Sequence, residues 1–385
     1  MNDLKIVNIE LFKVPPRWLF LKITTQSGII GWGEPVVEGK GDSVAACVKE
    51  LGKLILGRNA NEIEDIWQVL YRGGFYRGGA IIMSAISGID QALWDIKGKY
   101  LNVPVYELLG GAVRNKMKMY CWIGGDHPEV VLEQAHEKMK AGYKAVKMNA
   151  TGAMDWVSSI KDLKAIANNI KLLREEFGYD LDIALDFHGR VHKPMVKRLI
   201  DELAPYEPMF IEEPVLAENS DALKHIYGYT SIPIATGERM FSRWDFKGIL
   251  NKGVVDIIQP DVSHAGGISE VRRIAIMAEA YDITLAPHCP LGPIALASCL
   301  HVDFVSANAI IQESSIGIHY NQGYDILDYM SNPELFDIKD GYIELFKKPG
   351  LGVDIDEVEL RKAQKIGHDW SNPIWRRNDG SFAEW

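Results

Sequence analysis

Three carboxylates, Asp186, Glu212 and Glu238, recur 26 residues apart, and each closes a short apolar run: Leu181-Asp182-Ile183-Ala184-Leu185-Asp186, Met209-Phe210-Ile211-Glu212 and Pro233-Ile234-Ala235-Thr236-Gly237-Glu238. Three oxygen donors on rigid strand ends describe a site for a hard divalent cation such as Mg²⁺. Zinc usually takes His or Cys instead. The beat continues: Asp261 follows Glu238 by 23 residues, His288 follows Asp261 by 27, and Glu313 follows His288 by 25. A single acid at a run end is usually a loop residue, but six ionisable groups in phase point to one shared site. Glu213 is also acidic, yet neighbours on a strand face opposite sides, so ligation is assigned to Glu212. His188, two residues beyond Asp186, looks the same way as that acid.

A strand, a loop, a helix and a return loop take about as many residues as this interval, given eight such units in a barrel of roughly 250 residues. The ionisable groups then stand at the C-terminal tips of parallel strands, where barrels of this kind do their chemistry. Strands are expected near 117–122, 144–148, 182–186, 209–212, 233–236, 255–260, 283–287 and 308–312. Helical patterns such as Glu129–Ala141, Met154–Phe177 and Ser269–Tyr281 alternate with them. Ahead of this pattern, 1–115 opens with strand-like runs at Val7–Phe12 and Leu19–Thr24 and a turn at Gln26-Ser27-Gly28, then becomes helical. Such an order suits an α+β capping domain. The expected organisation is therefore α/β: a capping domain over 1–115, a (β/α)7β modified TIM barrel over 116–330, and a segment over 331–385 that packs back on the cap.

Composition narrows the class of function. The 385 residues are 47% hydrophobic and 24% charged, ordinary for a soluble globular protein. Net charge of −10 argues against nucleic-acid partners, whose binding needs a basic face. No apolar run is long enough to span a membrane and the N-terminus lacks signal-peptide order, so the expected setting is the cytoplasm. Cys47, Cys121, Cys289 and Cys299 have no CxxC spacing and read as reduced thiols.

The stretch Ser87-Gly88-Ile89-Asp90-Gln91-Ala92-Leu93-Trp94-Asp95-Ile96-Lys97-Gly98-Lys99, then Pro104-Val105 and Leu109-Gly110-Gly111, resembles the signature of the mandelate racemase branch of the enolase superfamily. Asp186, Ile211-Glu212-Glu213-Pro214, Gly237-Glu238, Asp261, His288 and Glu313 follow that branch's barrel motifs in order. Pro15-Pro16-Arg17-Trp18, Leu185 to Arg190, Gly237 to Arg243 and Ala286 to Pro293 look most like the sugar-acid dehydratases of the branch.

The resemblance implies Mg²⁺ on Asp186, Glu212 and Glu238, with a histidine base. His288 is that base, and Asp261 orients its imidazole and raises its basicity. His188 is the acid that protonates a departing hydroxyl, turning proton abstraction into β-elimination. Glu313, Lys147 and Asn149 are expected to hold substrate oxygens, and Arg17, Trp18 and Tyr76 to reach the substrate from the capping loops. Racemases of the branch carry Lys-x-Lys where this chain has Lys147-Met148-Asn149, so the second base is absent and two-base racemisation is disfavoured. His225 and His301 read as structural, and His264 as lying just behind Asp261. The expected reaction is Mg²⁺-dependent dehydration of a sugar acid by a homo-oligomer. A dehydratase for a different aldonate, an epimerase, and a metal-binding barrel without catalysis stand as alternatives.

Overall fold

The structure, a computed structural model, describes residues 3–125 and 131–385. It opens with an antiparallel sheet of β1 (Ile6–Val14), β2 (Trp18–Thr25) and β3 (Ile30–Gly33), followed by helices α1 (Gly41–Ile55), α2 (Ile63–Arg72), α3 (Ala80–Leu101) and the single turn α4 (Val105–Leu108). Most of α3 is buried, because it packs on this sheet with one side and on the barrel with the other. Its polar residues clamp one barrel loop. Ser87 Oγ accepts from the Gly266 N–H at 2.8 Å, Asp90 accepts from the Ser269 N–H at 3.0 Å, and Gln91 Nε2 donates to Ser263 Oγ at 3.0 Å. These side chains form the first part of the 87–99 motif, whose visible work is to seat the loop that follows Asp261.

Eight parallel strands make the barrel: β4 (Lys116–Ile123), β5 (Ala145–Asn149), β6 (Asp182–Asp186), β7 (Phe210–Glu212), β8 (Ile234–Thr236), β9 (Ile257–Ile258), β10 (Thr284–Leu285) and β11 (Gln312–Ser314). Between them run α5 (Val131–Lys140), α6 (Ile160–Phe177), α7 (Lys193–Leu203), α8 (Leu223–Tyr227), α9 (Arg243–Lys252), α10 (Gly267–Glu279) and α11 (Pro293–Val305). Eight strands and seven intervening helices give the (β/α)7β architecture. The floor of the barrel is a layer of Tyr120, Ala145, Ala184, Phe210, Ala235, Ile257, Ala286 and Ile311. Four small alanines leave room for Tyr120 and Phe210, whose rings meet edge to face at 6.3 Å, the alternation of bulk by which such barrels fill.

Several boundaries shift from those read in the sequence, and one falls outside the described residues. The last strand was expected at 308–312, and the chain there serves two neighbours in succession. Leu285 N–H donates to Asn308 O and Ile310 N–H to Leu285 O, both at 2.9 Å, which closes the barrel against β10, while 312–314 pairs with β4. The helix expected from Met154 starts at Ile160, because Ser159 and Asp162 form a reciprocal capping box. Of the helix expected over Glu129–Ala141, the first two residues lie outside the described residues, and α5 is described over Val131–Lys140.

The remainder includes β12 (Tyr342–Glu344), antiparallel to β4, and α12 (Glu357–Ile366), which packs on β1. A small hairpin of β13 (Trp375–Arg376) and β14 (Phe382–Ala383) lies against barrel loops rather than the cap. No helix among the described residues is long and apolar enough to cross a membrane, and all four cysteines are free thiols.

Candidate active site

The strand tips deliver the phased groups to one mouth. In parallel register Asn149 pairs with Asp186, and Asp186 with Glu212, so three neighbouring strands end in polar side chains at one level. Gly237 then turns β8 so that Glu238 joins them. Its φ is +146°, and a Cβ there would lie 2.8 Å from Gln259 N and 2.9 Å from the Phe246 ring, so only glycine fits. Ligand atoms of Asp186, His188 and Glu238 all lie within 4.8 Å of one another.

His188 reaches this cluster through an unusual backbone. Its φ of +47° places it in the left-handed region, rare for a residue with a side chain. The turn lets the His188 N–H donate to Asp186 Oδ1 at 2.7 Å and brings Nε2 to 3.0 Å from Asp186 Oδ2. Phe187, between the two, is buried in the core. Burial alone would raise the Asp186 carboxyl, but His188 and Lys147 hold it well below the usual range.

His288 Nδ1 lies 2.8 Å from Asp261 Oδ2. An ionised carboxylate only accepts, so Nδ1 carries the hydrogen, and Nε2 is the nitrogen that bears the lone pair whenever the ring is neutral. Nε2 points at the cavity, 3.2 Å from Glu238 Oε2. Asp261 is itself held by the Ser263 N–H, which donates to Oδ1 at 2.6 Å, and Ser263 is the residue that Gln91 of α3 grips. Burial would depress the His288 imidazole, but the charges of Glu238, Glu313 and Asp261 outweigh it and hold the ring well above its ordinary range.

The acids outnumber the cations. Lys147 is fully buried, with Nζ 2.9 Å from Glu212, 3.0 Å from Glu313 and 3.7 Å from Asp186, and 4.7 Å from the centroid of the Trp122 ring. Burial and the adjacent Asp186, Glu238 and Glu313 still push the Glu212 carboxyl well above its usual range, despite Lys147. Asp186 Oδ2 and Glu238 Oε2 are buried and accept no hydrogen bond, since the nearby histidine nitrogens are out of line. Buried carboxylate oxygens without partners, beside a surplus of negative charge, fit a divalent cation. The neighbouring Glu213 differs: Arg239 donates to it from Nε at 2.9 Å and from Nη2 at 2.5 Å, so it has its own counter-charge.

Asn149, His188, Glu238, His288 and Arg17 line one cavity of about 290 Å³, and Asp186, Asp261 and Glu313 stand behind that lining, against His188, His288 and Trp122 respectively. Glu212 sits beside Asp186 but turns its carboxylate onto Lys147. Lys147, expected at the substrate, lies a layer lower among the acids. Glu313 is satisfied by the Trp122 indole at 2.5 Å and the Cys289 N–H at 2.7 Å. Asn149 Nδ2 donates to Gly125 O at 3.0 Å, and its Oδ1, buried, has no partner. Arg17 lines the cavity but is tied to Glu38 at 3.1 Å and to Pro290 O at 2.6 Å. Trp18 instead lies fully buried against Phe20 and Tyr329, away from the cavity lining. Tyr76 is 86% exposed on the 73–79 segment, also outside the lining.

Sequence reasoning missed Trp122, Glu38, Tyr320 and Trp385 in the lining, and it placed His264 behind the site although the ring reaches the cavity. Trp122 was legible in principle, since it stands two residues beyond the floor residue Tyr120 and faces inward with it.

A capped (β/α)7β barrel with carboxylates at successive strand tips, and a histidine paired to an acid facing them, defines a class of enzymes that draw protons from beside carboxylates. The sequence agrees with that class. Residues 15–110 match the mandelate racemase/muconate lactonizing enzyme N-terminal domain, and residues 130–359 match the enolase C-terminal domain-like family. The chain belongs to the mandelate racemase/muconate lactonizing enzyme family of the enolase superfamily. It is 54% identical to a D-galactonate dehydratase from Cronobacter sakazakii and 55% identical to one from Xanthomonas euvesicatoria, over 99% of this chain and all of each relative. An enolase from Agrobacterium radiobacter with sodium and L-malate bound superposes with a TM-score of 0.89 at 33% identity, covering 99% of this chain and 100% of that one.

Proposed function

We propose that this enzyme dehydrates a sugar acid, D-galactonate to 2-dehydro-3-deoxy-D-galactonate, with Mg²⁺ held by Asp186, Glu212 and Glu238. A divalent cation there would supply positive charge where a second negative charge develops on the substrate carboxylate. His288 Nε2 takes the C2 proton, and Asp261 stabilises the imidazolium through Nδ1. His188 delivers a proton to the C3 hydroxyl, so the C3–O bond breaks and water leaves. The resulting enol takes up a proton at C3 and becomes the 2-keto acid. Asn149 Oδ1 accepts a hydrogen bond from a substrate hydroxyl, and Lys147, buried among Glu212 and Glu313, keeps those acids in place.

The observation that carries this reading is the presence of two histidines on one cavity with different partners. His288 is oriented by Asp261 with its lone pair on the cavity, while His188 shares the cation cluster with Asp186. One base and one acid are what elimination of water requires. A racemase would need a second base where Asn149 stands. The identity to D-galactonate dehydratases along the full length supports the substrate. We place the enzyme in the cytoplasm, in keeping with its free cysteines, and as a homo-oligomer, as is usual in this superfamily.

The test is formation of 2-keto-3-deoxy product, read as the semicarbazone, across a panel of aldonic acids with and without Mg²⁺. Turnover confined to D-galactonate is the expected result. Turnover of another acid would keep the chemistry and change the substrate. Metal binding with no turnover on any acid would leave a barrel without this activity.

A further inference from the structure

The cavity has a second wall, which residues 368–385 supply. α12 is tied to the capping sheet, where its Gln364 Nε2 donates to Leu11 O at 3.1 Å, and the segment leaves from there with Lys13 3.9 Å from Asp369. It ends on the barrel. Arg377 Nε donates to Met154 O at 3.1 Å, Arg377 Nη2 lies 3.1 Å from His192 Nε2, and the Arg190 guanidinium covers the Trp375 ring at 4.6 Å. The segment therefore runs from the cap to the loops after β5 and β6, and it is anchored at both ends.

Asn372, between these anchors, and Trp385, beyond the second, line the cavity. The Trp385 ring lies 6.0 Å from Tyr320 and 6.3 Å from Trp370, and the Arg17 guanidinium lies 5.0 Å from the Tyr320 ring and 5.5 Å from the Trp370 ring. Asn372 is pressed against Gly39, where a Cβ would come within 2.4 Å of its Oδ1 and where φ is +73°. These contacts fix the wall's distance from the acids.

We propose that residues 368–385 form a strap whose Trp385 and Asn372 determine specificity, by meeting the end of the substrate remote from its carboxylate. The proposal rests on the dehydration reading above. With C2 and C3 of the substrate held at His288 and His188, the remaining carbons extend away from the strand tips. An indole offers a flat apolar face to the C–H bonds of C5 and C6, and the Asn372 amide pairs with the terminal hydroxyl. The strap thus measures chain length, while the strand tips do the chemistry.

The experiment compares KM and kcat for D-galactonate, its 6-deoxy analogue D-fuconate, and the five-carbon L-arabinonate, which shares the configuration at C2 to C4. The enzymes are the wild type, Trp385→Ala, Trp385→Phe and Asn372→Ala, each checked for an unchanged thermal midpoint. Trp385→Ala is expected to raise KM for the six-carbon acids about tenfold, with kcat within about threefold and KM for L-arabinonate nearly unchanged. Trp385→Phe keeps most of the discrimination. Asn372→Ala weakens D-galactonate but not D-fuconate, which lacks the 6-hydroxyl. Equal losses on all three acids, or none, would overturn the strap while leaving the dehydration reading intact. A wild type inert toward every acid would refute that reading and the strap with it.

Discussion

Replacing Asp261 by Asn tests the assignment of His288 more sharply than removing the histidine. Asp261 Oδ1 accepts from the Ser263 N–H at 2.6 Å, and Oδ2 faces His288 Nδ1 at 2.8 Å. In Asp261→Asn the carbonyl oxygen stays with Ser263, because that backbone N–H is buried and needs an acceptor. The amide NH₂ then faces Nδ1 and donates to it, which drives the ring hydrogen onto Nε2, the nitrogen meant to take the proton. Two costs add. Loss of a charge-assisted bond to the imidazolium is worth about 1.5–3 kcal/mol, and restoring the productive tautomer by leaving a buried group unpaired costs about 1–3 kcal/mol. Together they predict a fall in kcat of roughly 10² to 10⁴, at about 1.4 kcal/mol per factor of ten. Asp261→Ala incurs only the first cost, since a neutral imidazole with no donor opposite Nδ1 chooses its tautomer freely. The ordering is therefore Asp, then Ala, then Asn, with KM little changed. Initial rates of 2-keto-3-deoxy product at saturating Mg²⁺ measure it. An Asn variant as active as the Ala variant, or within about threefold of the wild type, would refute the tautomer argument.

Calorimetric titration of Mg²⁺ separates ligand from acid: Glu212→Gln is expected to weaken binding about 10- to 100-fold, as loss of a metal-site group does. His188→Asn should leave binding near that of the wild type while abolishing dehydration, and a comparable loss of Mg²⁺ affinity would make His188 a ligand instead. Gly237→Ala is expected to cost at least about 2 kcal/mol in urea unfolding, because its Cβ meets the Gln259 backbone and φ is +146°; an unchanged midpoint would show that β8 can shift. His301 is buried, and burial lowers its imidazole from 6.5 to about 3. Between those values the unfolded chain binds the proton and the folded one does not, so stability falls as pH drops from 6.5 toward 3, by about 3 kcal/mol at pH 4.5. His301→Gln, if folded at pH 7, should lose that part of the slope in urea midpoints measured from pH 7 to 4.5.

What the sequence disclosed and what it hid follow from where each contact is made. Asp186, Glu212, Glu238, Asp261 and His288 were legible because a strand, a helix and two loops have nearly constant length, so a group at one tip repeats along the chain. The pairing of His288 with Asp261 follows from that phase, being one strand apart. Depth is harder to read. Lys147 and Asn149 share a face of β5, yet two residues of rise along the strand put Lys147 a layer lower, among Glu212 and Glu313, where it meets acids and no cavity. Arg17 and Trp18 are adjacent, and one lines the cavity while the other fills the core, a choice made by Pro290 and Tyr329 from distant parts of the chain. The strap was hidden most completely. Trp370, Asn372 and Trp385 follow no strand or helix period, and their partners at Arg17, Gly39 and Tyr320 come from the cap and from beyond β11. The groups at the strand tips are therefore written in a repeat that any reader of the chain can count, whereas the wall that faces them across the cavity is written in pairings across the chain that only the fold brings together.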